Sequence, residues 1–169
     1  MGRKALLVIG ILSVVLFFVY KITSMVQTKT QLQKNIATLP FFQFTNLQNQ
    51  SFINDSLKKS QPTLLLFFNT TCEHCQYETE QILKNNASFR NSNVLFISRQ
   101  SNNDIRLFDS TYQVSKYSFI KLLRDSIDYS YKIFGINSFP SSIVYNTEGK
   151  LVKSFKGETK IEAIISALQ

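Results

Sequence analysis

Hydrophobic and polar positions follow three patterns along this chain, and each predicts a different kind of element. Residues 5–20 carry no charge, with Arg3 and Lys4 before them and Lys21 after. Counted on to Ile22, the apolar stretch reaches the lower limit of about 17 residues for a membrane-crossing helix. No small-residue cleavage site and no cysteine lies near its end, so residues 5–22 read as an uncleaved transmembrane signal anchor. Residues 1–4 then form a basic tail expected in the cytoplasm, with the rest of the chain exported. Residues 23–39 are rich in Gln, Thr and Lys without apolar periodicity, and predict a linker.

The second pattern, short apolar runs broken by turn residues, starts at Pro40, and residues 40–169 are expected to form the folded domain. Phe41, Phe42, Phe44 and Leu47, then Gln48-Asn49-Gln50 and Ser51-Phe52-Ile53, predict a β-hairpin, with a short helix over 55–60. Residues 64–68 are unbroken apolar, as in a strand covered on both faces. Asn69, Thr70 and Thr71 interrupt that run and can cap a helix continued from Gln76. A polar loop over 85–93 leads to a second buried parallel strand, 94–97. Beyond it the pattern predicts a strand over 119–123, a helix over 128–134 and a strand over 142–145. A tight turn at 146–149 and a hairpin partner over 151–155 follow. The third pattern is helical spacing. It places Ile105, Phe108 and Tyr112 on one face of a helix over 104–112, and Ile161, Ile164, Ile165 and Leu168 on the core face of a last helix over 160–168.

A chain of 169 residues accommodates one domain and a small appendage. At 44% hydrophobic and 13% aromatic it is not a disordered chain. The net charge of +8 lacks a clustered Arg/Lys stripe with interleaved aromatics, so nucleic acid is not an expected partner. A solvated basic surface, or attraction to anionic lipid or an acidic partner, accounts for it.

Both cysteines and the only histidine fall in one tetrapeptide, Cys72-Glu73-His74-Cys75. A structural disulfide framework is excluded because no other pair exists. Zinc would require two further ligands from a chain that has no other Cys or His, so no metal is expected. The motif joins a buried strand to a helix, which puts Cys72 at a helix N-terminus. Unpaired N–H groups and the helix dipole there favour a thiolate. Cys75, one turn on, can attack a mixed disulfide formed on Cys72. The pattern thus points to dithiol–disulfide exchange. A merely stabilising disulfide is the bland alternative, and so small a loop gains little from closure.

The order strand–CxxC–helix, βα unit, proline before a strand, hairpin and closing helix resembles the thioredoxin-like fold. The nearest likeness is to the membrane-anchored TlpA/ResA-like thiol–disulfide oxidoreductases and related bacterial redoxins. It rests on LPFFQFTNLQNQSF, FFNTTCEHCQYE and GINSFPSSIVYNTEGKLVKSFKGE, and covers residues 40–169. The resemblance implies an α/β fold with a central mixed sheet flanked by helices, an N-terminal β-hairpin extension and one transmembrane helix. It also implies a single-pass protein of the bacterial cytoplasmic membrane with its catalytic domain on the extracytoplasmic side. In that family Cys72 would be the nucleophile and Cys75 the resolving thiol. The Phe139-Pro140 bond would be cis, with Phe139 backbone groups pairing with an extended substrate. Glu78 matches the acidic residue of a CxxCxxE motif, where it would shuttle protons or tune the cysteines; a plain surface carboxylate fits the sequence equally well.

Two tuning residues pull in opposite directions. A His74 imidazolium would stabilise the Cys72 thiolate and move the couple toward an oxidant, whereas Glu73 disfavours the thiolate. A solvent-facing, passive His74 is the other reading. The sequence departs from thioredoxins at Leu66, where they place a buried Asp, and at Thr71, where they place Trp. The expected cofactor is none beyond the Cys72–Cys75 disulfide. The expected partners are protein thiol or disulfide clients, a membrane electron donor or acceptor, and the membrane itself through the N-terminal helix. An envelope reductant, as in cytochrome c maturation, is the leading expectation. A DsbA-like disulfide-forming oxidase, a peroxiredoxin-like peroxidase and a non-enzymatic redox-gated binding module are the alternatives. The peroxidase lacks its loop proline, and Asn69 stands at its threonine position.

Overall fold

The chain folds into two units, residues 1–35 and 36–169, in a computed structural model that describes residues 2–169. Met1 and the side chains of residues 3–7, 28 and 29 lie outside that description, so the two basic side chains of the tail expected at residues 1–4 do as well. The first unit is a single helix, α1 (Gly2–Asn35). Its Val8–Asn35 portion contains a window of mean hydropathy 2.1, none of it buried, and is long and apolar enough to cross a membrane. The helix continues through the polar stretch past Lys21, whose ammonium lies 5.8 Å from the centre of the Phe17 ring.

The second unit is a seven-stranded mixed sheet: β1 (Gln43–Asn46), β2 (Ser51–Ile53), β3 (Thr63–Phe67), β4 (Asn93–Ser98), β5 (Ile120–Arg124), β6 (Ser141–Tyr145) and β7 (Leu151–Lys156). Their spatial order is β2-β1-β5-β4-β3-β6-β7. The parallel trio β5-β4-β3 sits in the middle, with antiparallel partners at each end. Every residue of β3 and β4 is buried, which is why their sequences read as continuous rather than alternating runs.

Period-2 geometry sends Leu64, Leu66 and Phe68 to one face of β3. There they join residues of α2 (Glu73–Lys84), α3 (Asn102–Tyr112) and α5 (Ile161–Leu168) in one apolar cluster. Phe68 is its aromatic centre, 4.8 Å from the Phe108 ring and 5.8 Å from that of Phe96. Phe67 points the other way and meets Phe134 at 5.3 Å, from the segment joining β5 to β6. At the end of β6 away from Pro140, Asn146 accepts from the N–H groups of Glu148 and Lys150, and Gly149 takes φ +74. Residues 37–39 are fastened to this turn through Leu39 N–H to Gly149 O at 2.7 Å and Leu151 N–H to Ala37 O at 2.9 Å. The chain therefore enters the domain at the pole of the sheet opposite Cys72.

Three local expectations shift. The helix expected over 55–60 is one 3-10 turn, Asn54–Ser56, because the backbone turns extended at Leu57 (φ −73, ψ 143) and left-handed at Ser60 (φ 60). The helix expected over 128–134 shrinks to α4 (Tyr129–Lys132). Asp128 takes a left-handed φ of 69°, and buried Asp125 receives the Tyr129 and Ser130 N–H groups. The polar loop of residues 85–93 holds a 3-10 turn, Asn86–Phe89, whose Phe89 is fully buried.

Truncating that side chain leaves a cavity under α2. Phe89→Ala is expected to cost about 3–5 kcal/mol in urea unfolding of the full chain. A cost below about 1 kcal/mol would show that Phe89 is not part of the core.

Candidate active site

Cys72 is the N-cap of α2, in extended conformation at φ −87 and ψ 117. The capping expected from Asn69, Thr70 and Thr71 takes another form. Asn69 folds back on its own turn, its Oδ1 accepting from both Thr71 N–H and Thr71 Oγ at 2.9 Å. The first turn of α2 is therefore left without a side-chain cap. The loop is held from the side by Gln100, beyond β4, whose Oε1 accepts from Thr70 N–H at 2.6 Å. Gln76 Nε2 donates to Thr70 O at 3.0 Å. Thr70 and Thr71, with Leu107 and others, line a cleft of about 220 Å³ on the α3 side, where a thioredoxin would carry its Trp.

The two thiols, both free, are unlike. Cys72 is half-buried, and its Sγ lies 3.9 Å from the Phe139 carbonyl oxygen. Cys75 is fully buried and accepts from Asn69 N–H at 3.5 Å. Burial pushes the Cys75 thiol far up, helped by Cys72 and by the charge of Glu78, and only partly offset by the Asn69 N–H. Alone, it stays protonated at neutral pH.

Glu78 is 1% exposed, so the surface-carboxylate reading is corrected. Cys75, Glu78, Thr79 and Ile82 recur at helical spacing and form the face of α2 turned to the sheet. Glu78 Oε1 accepts from Ser142 Oγ on β6 at 2.9 Å, and Oε2 accepts from Thr159 N–H at 3.1 Å. Ser142 pairs across the sheet with Leu66, so the carboxylate arrives from the helix close to the strand position where thioredoxins place their Asp. Burial raises its pKa, against the lowering effect of those two donors.

The Phe139-Pro140 peptide bond is cis, and Pro140 is buried while Phe139 packs half-buried against the apolar cluster. Glu73 is exposed in the first turn of α2. His74 faces solvent, with Nδ1 2.6 Å from Glu158 Oε2. Among the described residues no group of three or more His, Cys, Asp or Glu side chains converges as a metal would require.

The site thus brings Cys72, Cys75, Glu78 and the Phe139-Pro140 peptide together and adds Gln100, Ser142, Glu158 and Thr159. Ser142 had a legible signal, since alternation along β6 puts it with Val144 on the core face. Gln100, Glu158 and Thr159 have no local pattern that marks them.

The chain matches the family model described as "Thioredoxin-like domain" over residues 50–169. No curated protein sequence matches it. Among solved structures it is similar to a secreted Mycobacterium tuberculosis disulfide oxidoreductase described as homologous to Escherichia coli DsbE. That pair has TM-score 0.64 and 16% identity, covering 80% of this chain and 96% of the other. StoA from Bacillus subtilis aligns with TM-score 0.60 at 18% identity, over 79% of this chain and 99% of its own. The exposed lipoprotein thioredoxin of Streptococcus pneumoniae aligns with TM-score 0.58 at 23% identity, over 76% of this chain and 97% of its own. With the family model spanning more than half of its length, this chain belongs to the thioredoxin-like family.

Proposed function

We propose that the chain is an exported, membrane-tethered thiol–disulfide oxidoreductase acting on protein clients through Cys72 and Cys75. The observation that carries this reading is the asymmetry of the thiols: one half-exposed at an uncapped helix N-terminus, the other fully buried beside a buried carboxylate.

As a reductant, Cys72 thiolate attacks one sulfur of a client disulfide, and the other client sulfur leaves as a thiolate. The mixed disulfide docks along the Phe139-Pro140 peptide, whose carbonyl is already near Cys72. Cys75 gives its proton to the Glu78 carboxylate and attacks Cys72 Sγ, which breaks the bond to the client. Two electrons pass to the client, and its two sulfurs take up the protons the cysteines gave up. Glu78 is suited to the exchange because burial raises its proton affinity toward that of a working acid–base group. The TlpA/ResA resemblance favours a reductant in an envelope pathway such as cytochrome c maturation.

The second reading, a disulfide-forming oxidase, draws on His74 between the cysteines. The Glu158 carboxylate against that imidazole argues for the reductant.

Equilibrated with glutathione or dithiothreitol, the two cysteines are expected to convert together into an intramolecular disulfide. Cys72→Ser is expected to abolish exchange, and Cys75→Ser to accumulate a mixed disulfide. Cysteines that never pair would sink the reading. A potential near or below about −250 mV supports the reductant, and one above about −180 mV the oxidase.

Glu78 also links stability to pH. Its folded pKa lies above the unfolded value of 4.5, so the folded state binds that proton more tightly. The resulting stability is fully present below the unfolded value and is lost as pH rises through the folded one. Glu78→Gln, which keeps partners for Ser142 and Thr159, is expected to raise the thermal midpoint relative to wild type at pH 7 more than at pH 4. An equal gain at both pH values contradicts this.

For the tether, residues 5–22 are the proposed span, 23–39 the linker and 40–169 the catalytic domain. The full chain is expected to stay with membranes through alkaline carbonate washing; its release would remove the anchor.

A further inference from the structure

Three consecutive residues after β7 each reach a different part of the dithiol site. Gly157, at φ +78, donates its N–H to the Pro140 carbonyl at 2.9 Å. Thr159 donates its N–H to Glu78 at 3.1 Å and its hydroxyl to the Gly157 carbonyl at 3.1 Å, which closes the turn. Between them, Glu158 places Oε2 2.6 Å from His74 Nδ1, across 84 positions of sequence. The backbone on both sides of Glu158 is fastened, so this is not a chance meeting of two long mobile side chains.

Nor does the pair act through stability. The two side chains are 72% and 39% exposed, and ion pairs in water add little to a fold. What the pair alters is charge. A protonated His74 standing alone would place a positive charge on the first turn of α2, beside Cys75 and two residues from Cys72, favouring the thiolate. Joined to Glu158, it presents no net charge to the sulfurs. The other ionisable groups here are Glu73 on the same turn, Glu78 beneath it, and Lys156 and Lys160 on either side of the 157–159 turn. His74 is the only histidine of the chain, so no other imidazole can substitute.

We propose that Glu158 is a positioning residue of the dithiol site: it holds the His74 imidazole on the 157–159 turn and offsets its charge, keeping the Cys72/Cys75 couple from becoming strongly oxidising. This rests on the exchange reading above. It makes the potential a property of an ion pair contributed by two loops, rather than of the tetrapeptide between the cysteines.

The test is a double-mutant cycle on the full chain, comparing wild type, Glu158→Gln, His74→Asn and the double variant, each equilibrated with glutathione at pH 7. Glu158→Gln is expected to shift the equilibrium toward the dithiol by about threefold or more, the scale of one partly screened charge near the thiolate. His74→Asn, which leaves the carboxylate unopposed, is expected to shift it the other way, and the double variant to return near wild type. Glu158→Asp is expected to restore most of the wild-type value. An unchanged constant in Glu158→Gln overturns the proposal, as does a double variant that keeps the full Glu158→Gln shift relative to wild type. If all four proteins equilibrate alike, only the role of Glu158 fails. If wild type reaches no two-thiol equilibrium at all, the exchange reading itself fails.

Discussion

The structure of the site depends on keeping two ionisable groups, Cys75 and Glu78, out of water on the same face of one helix. A charge in an apolar interior is costly, so both are pushed toward their neutral forms. The dry floor beneath them is supplied by β3, whose five residues are all buried, and by its neighbours β4 and β6. The only hydrogen bonds reaching the Glu78 carboxylate among the described residues come from Ser142 on β6 and the Thr159 backbone. In the exchange proposed above, that carboxylate takes the proton of a thiol that cannot ionise unaided.

That constraint also separates the two sulfurs. Cys72, one turn earlier, escapes the interior because the chain leaves β3 through the Asn69 turn and enters α2 without a side-chain cap. Open N–H groups and partial exposure suit a nucleophile; burial suits a resolving thiol that reacts only with its neighbour. A difference of three positions in one helix thus becomes a difference in chemistry, because three positions is nearly one turn and the first turn straddles the edge of the core.

Around the helix, the loops that complete the site come from the far side of the sequence. The cis Phe139-Pro140 peptide opens β6, and the 157–159 turn follows β7, so the antiparallel pair β6–β7 brings both to the same end of the sheet. Gly157 N–H on Pro140 O locks one to the other. Its left-handed φ is what allows the turn to fold back, and Glu158 and Thr159 then face α2 as a consequence.

Much of this was legible without coordinates. The apolar run through Phe68, the Cys72–Cys75 spacing, the proline before β6 and the turn at Asn146 each carry a local signal, because strand burial, helix entry and tight turns depend on near neighbours in the chain. The burial of Glu78 was legible in part: its spacing from Cys75 and Ile82 puts it on the inward face, but a carboxylate there reads as exposed until partners for it are known. Phe89 was lost inside a stretch of Asn and Ser, since one apolar residue makes no period. Gln100, Glu158 and Thr159 could be placed only by the tertiary structure. Their roles arise from contacts 30, 84 and 81 positions apart, and no local pattern reports how distant loops meet. The sequence by itself determined the fold class and placed the two cysteines at the strand-to-helix junction. Only the packed sheet decided what surrounds them, because desolvation and charge pairing depend on distance in space, not on separation along the chain.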